Sequence, residues 1–220
     1  MSSKKVLWLF LSFLVFALAT GFSAKADTLY LNGVNGKVDL TGRAYISPYF
    51  GGLNNPGGMD SIYCVDPLHD SYLDTHWDVN VTLLGTNTDL GNTYLGIAGV
   101  AEARTKYEEA AWLLFYQNYA PPFGSPDMRL KDQQAIQAAI WYIMDPGNPY
   151  GQKNIWVTRA QENYGGTNYS NVYILSDTDH VRPNQEFMTN IPLSEPSTLL
   201  LLGSGLVLVA LVGFREKFKK

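Results

Sequence analysis

Lys131-Asp132-Gln133-Gln134-Ala135-Ile136-Gln137-Ala138-Ala139-Ile140-Trp141-Tyr142-Ile143-Met144 is spaced as a helix. Ile136, Ala139, Ile140, Ile143 and Met144 recur three or four positions apart, which gathers them on one buried face. Asp145-Pro146-Gly147 stops the run, since proline cannot continue a helix and glycine leaves it readily. The same period governs Thr105 to Tyr119, where Tyr107, Ala110, Ala111, Leu114 and Phe115 form one stripe and Pro121-Pro122 ends it. Two helices therefore occupy the middle of the chain.

On either side the period shortens to that of a strand. Trp77 to Leu84 alternates, with Val79, Val81 and Leu83 expected on one face. Thr28 to Leu31 and Lys37 to Leu40 read as short strands around the turn signals Asn32-Gly33 and Asn35-Gly36. Ser61 to Asp66 is expected as a strand carrying Cys64, and Asn171 to Leu175 and Gln185 to Met188 as two more. Tyr45 to Met59, with Pro48, Gly51-Gly52 and Asn54-Asn55-Pro56-Gly57-Gly58, reads as loop. Strands, then helices, then strands argue an α+β fold rather than a parallel doubly wound sheet.

The ends differ from the centre. Lys4 and Lys5 precede the apolar run Val6 to Ala19, and Ala24-Lys25-Ala26 is a small-x-small cleavage site, so residues 1–26 read as a secretory signal peptide. At the other end Thr198 to Phe214 carries no charge and is rich in Leu and Val, close to the shortest length that spans a bilayer as one helix. The basic cluster 215–220 would stay cytoplasmic, leaving everything before Ser194 outside. The unit between, 27–190, is long enough for one domain with its own core. It holds nine Lys/Arg against eighteen Asp/Glu. That excess of acid argues against nucleic acid or an anionic membrane surface as its partner.

Ile191-Pro192-Leu193-Ser194-Glu195-Pro196-Ser197, followed by the apolar run and the basic end, resembles the PEP-CTERM sorting tail of exopolysaccharide-producing Gram-negative bacteria. The resemblance implies that Glu195, Pro196 and Ser197 are a sorting signal within a tail of residues 191–220. It also implies that an exosortase-type membrane enzyme cuts near that signal, releasing a surface or matrix protein. Ser194 stands where the family has its first proline.

Cys64 is the single cysteine, so no internal disulfide is available to it. It lies in Tyr63-Cys64-Val65-Asp66. With Ile136-Gln137-Ala138-Ala139-Ile140-Trp141 and Asn184-Gln185-Glu186-Phe187-Met188 this resembles the thioester domains of bacterial surface adhesins. Those domains carry an aromatic-Cys motif, a Thr-Gln-x-Ala-apolar-Trp helix and a final Gln-x-apolar motif in this order. Ile136 stands in place of the threonine. The resemblance implies a β-subdomain paired with a helical one. It further implies a Cys64–Gln185 thioester, supported by Gln137 and shielded by Tyr63, Trp141 and Phe187. Such a bond captures an amine-bearing partner once, with neither cofactor nor metal.

Two other functions fit the same residues. His69 and His76 follow Cys64 among Asp66, Asp70, Asp74 and Asp78, the residue types of a thiol hydrolase. The same aspartates supply oxygens of the kind calcium prefers, in a spacing that matches no EF-hand loop. The plentiful Tyr and Trp also suit noncovalent binding of matrix polysaccharide. No phosphate-binding glycine loop, zinc-ligand spacing or Ser-His-Asp signature stands out.

Overall fold

The computed structural model describes residues 26–39, 41–85, 88–118 and 126–190. The expected signal peptide before Ala26, Leu40, Pro121-Pro122 and residues 191–220, with Glu195, Pro196 and Ser197, lie outside them. Among the described residues no helix is long and apolar enough to cross a membrane.

Alternation and helical period sort the chain as an α+β protein. Among the described residues four strands come first: β1 (Asp27–Val34), β2 (Tyr49–Leu53), β3 (Asp60–Cys64) and β4 (Thr75–Leu83). Four helices follow: α1 (Tyr94–Ile97), α2 (Ala103–Asn118), α3 (Pro126–Met144) and α4 (Ile155–Asn163). The chain then returns as β5 (Tyr173–Asp177) and β6 (Phe187–Thr189). The strands close a barrel in the order β1-β2-β3-β6-β5-β4, every neighbouring pair antiparallel. Closure leaves no strand edge exposed. It also inserts the two late strands between β3 and β4, so the last strand pairs with the strand that carries Cys64.

Two cores share these strands. Leu29, Leu31, Ile62, Cys64, Trp77, Val79, Leu175 and Phe187 fill the barrel. Tyr63, Ile174 and Met188 point the other way, into a helical core with Tyr107, Leu114, Ile140 and Val157. Successive side chains on a strand face opposite sides, so β3, β5 and β6 serve both cores at once. Helix α3 also serves both. Ile136, Ala139, Ile140, Ile143 and Met144 belong to the helical core, while Trp141 enters the barrel cluster.

Three expectations need correction. Tyr45 to Met59 is not all loop, because β2 lies inside it. Its Gly51 and Gly52 are a response to crowding: a Cβ on Gly51 would meet the Tyr30 carbonyl oxygen at 2.5 Å. Glycine in a strand marks such close backbone approach as readily as it marks a turn. Lys37 to Leu40 is not a ladder strand. Val38 makes one isolated bridge to Tyr45, and Asp39 turns back to accept from the backbone of Thr41, Arg43 and Ala44. On β4 the buried face is Trp77 and Val79 with half-buried Val81, while Leu83 is exposed and Thr82 buried. Helices α1 and α4 carry too short an apolar pattern to stand out. Each starts on a polar cap, Thr93 accepting from the Gly96 amide and Asn154 from the Trp156 amide.

Candidate functional site

Strand β3 delivers Cys64 fully buried into the barrel core, opposite Phe187 of β6. A ring of hydrogen bonds fixes its backbone. The Cys64 amide donates to Ser47 Oγ at 2.9 Å. Gln137 Nε2 donates to the Cys64 carbonyl at 2.9 Å, and Gln137 Oε1 accepts from the Ser47 amide at 3.1 Å. Gln137 is itself fully buried, so both ends of its amide are satisfied within this ring.

The carbonyl oxygen of Asp66 is where the Cys64 and Gln185 side chains meet. Cys64 Sγ donates to it at 3.3 Å, and Gln185 Nε2 donates to it at 3.3 Å. Sulfur and carboxamide therefore lie no further apart than about twice a hydrogen-bond length. Gln185 precedes β6, and its amide is tied to Ser71 Oγ at 2.9 Å. The loop after β3 thus grips Gln185 at two points.

Around the sulfur, Phe187 packs edge-on to Tyr49 at 5.3 Å and lies 6.3 Å from Trp77. Trp141 lies edge-on to Tyr150 at 5.9 Å. Phe187 and Trp141 line the sulfur side of the barrel. Tyr63 does not, since it faces the helical core from the opposite side of β3. Burial pushes the Cys64 thiol up to about 12, and the Asp66 carboxylate adds to the rise. At neutral pH the sulfur is a protonated thiol, poorly reactive toward reagents in bulk water.

The histidines take other partners. His69 Nδ1 lies 2.5 Å from Asp66 Oδ2, and its ring meets Tyr94 edge-on at 5.2 Å. His76 stacks on Tyr30 at 5.2 Å across the β1–β4 ladder. The thiol donates to a main-chain oxygen and to neither imidazole. Among the described residues no group of three or more His, Cys, Asp or Glu is placed to hold a metal ion.

Sequence reasoning passed over Glu186. It sits between Gln185 and Phe187, fully inside the protein. Oε1 accepts from the Tyr94 amide at 2.8 Å and Ser176 Oγ at 2.6 Å, and Oε2 accepts from Tyr107 Oη at 2.6 Å. Burial raises its pKa to about 7 against the pull of those three donors. Strand alternation could have found it. If Gln185 and Phe187 face the barrel side, Glu186 must face the helices. Ser47 and Ser71 carried no comparable signal. A cavity of about 220 Å³ adjoins this acid, lined by Asp66, His69, Tyr94, Ser176, Asn184 and Glu186 among others.

No protein-family model, characterised protein or solved structure matches the chain.

Proposed function

We propose that the chain is an exported surface or matrix protein whose 27–190 unit captures an amine covalently through a thioester between Cys64 and Gln185. The observation that carries the reading is the shared contact of the Cys64 thiol and the Gln185 amide on the Asp66 carbonyl oxygen. Two side chains far apart in sequence are held as near neighbours before any bond forms, which removes most of the entropic barrier to their condensation. Sγ bonds to Gln185 Cδ, the carbon–nitrogen bond breaks, and ammonia leaves with the thiol proton. The apolar wall of Phe187 and Trp141 then keeps water from the acyl carbon. An incoming primary amine forms an amide at that carbon and returns the thiol. Each molecule turns over once, so this is binding rather than repeated catalysis.

The signal peptide and the sorting tail belong to the same proposal. Export would place the captured amine on a matrix component or on another surface. Intact mass spectrometry tests the capture chemistry. The purified protein should weigh one ammonia less than its processed sequence, with the Cys64 and Gln185 peptides joined. Cys64→Ala should restore the full mass. A wild-type protein of full mass with a titratable thiol sinks the reading. Export is tested separately, by finding the mature N-terminus at Asp27 in the extracytoplasmic fraction.

A further inference from the structure

Trp141 Nε1 is one of two buried side-chain polar atoms without a hydrogen-bond partner among the described residues, the other being Trp77 Nε1. A buried donor left unsatisfied is costly, so its retention calls for a use. Its position supplies one. Gln137, one helical turn earlier on α3, holds the Cys64 carbonyl. Residues four apart share a helix face, so Trp141 lies on the same side of α3 as Gln137. Trp141 shares the barrel cluster with Cys64. Its N–H meets no acceptor in hydrogen-bonding geometry, and among the influences on the thiol Trp141 is one that opposes the rise of its pKa.

We propose that the Trp141 indole N–H is the catalytic donor that stabilises negative charge on Cys64 Sγ when the acyl–sulfur bond is made and broken. This rests on the thioester reading and assigns Trp141 a role beyond shielding. The barrel core gives sulfur little other help, for burial and the Asp66 carboxylate both disfavour the thiolate. In capture, the amine nitrogen bonds to the acyl carbon and the carbon–sulfur bond breaks with its electron pair on sulfur. The surplus proton of the nitrogen then passes to that sulfur. Charge develops on sulfur before the proton arrives, and the unpartnered N–H is the donor free to meet it.

Trp141→Phe keeps a ring and deletes the N–H. The experiment follows wild type and Trp141→Phe by intact mass, with methylamine as the probe and with hydrolysis in mildly alkaline buffer as the second reaction. Both share one leaving group. A lost donor to sulfur should slow both by a common factor of about ten- to a hundredfold. A shield alone predicts the opposite sign for hydrolysis, since a looser wall admits water. Unchanged or faster hydrolysis in Trp141→Phe overturns the proposal while leaving the thioester standing. Wild type that never loses ammonia overturns the thioester, and the donor role with it. Should Trp141→Phe misfold or fail to condense, the Trp141 indole proton is followed by NMR in wild type. It should shift when methylamine opens the bond, and an unmoved resonance counts against the donor role.

Discussion

Gln137 Nε2 reaches the carbonyl oxygen of Cys64 at 2.9 Å across 73 positions of chain, and its other end accepts from the Ser47 amide. One carboxamide on α3 thus locks the strand that carries the sulfur to the segment entering β2. Both main-chain groups are buried, and no water can replace Gln137 without a cavity to hold it. Gln137→Leu keeps the volume and strands both groups. We expect a loss of about 2–4 kcal/mol in urea unfolding, at the cost of an unmet buried hydrogen bond for each group. The ammonia deficit should vanish or become incomplete. A loss under about 1 kcal/mol would mean the ring is not a structural clamp.

The thiol should be hard to reach when it is free. Gln185→Ala leaves Cys64 without an acyl partner. Its burial and its pKa near 12 both slow alkylation. Native Gln185→Ala should react with iodoacetamide at least about a hundredfold more slowly than the same chain in denaturing urea. Equal rates would show that the barrel does not enclose the sulfur.

Glu186 should make stability depend on pH. Its carboxyl is pushed up from the ordinary 4.5 to about 7 in the folded chain, because burial outweighs its three donors. Between those values the folded chain holds a proton that the unfolded chain has released. Stability therefore falls as pH rises through this window, by roughly 3 kcal/mol once the folded group has ionised. Below the window the penalty is absent. Asp66 adds its own charge to the same neighbourhood, so the comparison must be made against Glu186→Gln. Thermal melts from pH 4 to pH 8 should decline more steeply in wild type than in the variant. Parallel curves would mean the acid does not carry this linkage.

Gly51 tests barrel closure. An added Cβ would press on the Tyr30 carbonyl at 2.5 Å and on Ile62 Cδ1 at 3.2 Å. A main-chain oxygen in a strand cannot step aside as a side chain can. Gly51→Ala should cost about 1–3 kcal/mol in chemical unfolding. Gly57→Ala lies in open space, with its nearest neighbour 4.0 Å away, and should cost well under that. Equal effects would argue against the β1–β2 register.

Much of this protein can be read one element at a time. The stripe Ile136, Ala139, Ile140, Ile143 and Met144 marks α3, and it is the face that enters the helical core. Gln137 and Trp141 fall four apart, so their place on the same side of α3 follows from helix geometry alone. Alternation finds β1, β3, β4 and β5, with ends displaced by a few residues. It fails at β2, where glycines admitting a close neighbour look the same as glycines of a turn. The shielding role of Tyr63 comes from the thioester-domain resemblance, whereas alternation itself sets Tyr63 opposite Cys64. A strand buried on both faces shows no polar side to say which core a given residue joins.

The sequence by itself determined which side chains share an element, that sulfur occurs once, and that acid outweighs base between the two apolar ends. These follow from local periodicity and composition. Only the tertiary structure decided that β6 closes on β3, that Cys64 and Gln185 meet at the Asp66 carbonyl, and that Glu186 turns to Tyr107. The physical reason is that side-chain direction along a strand or helix is set within a few residues. Which strand closes the barrel is set by burying two cores together, and no local stretch contains that choice.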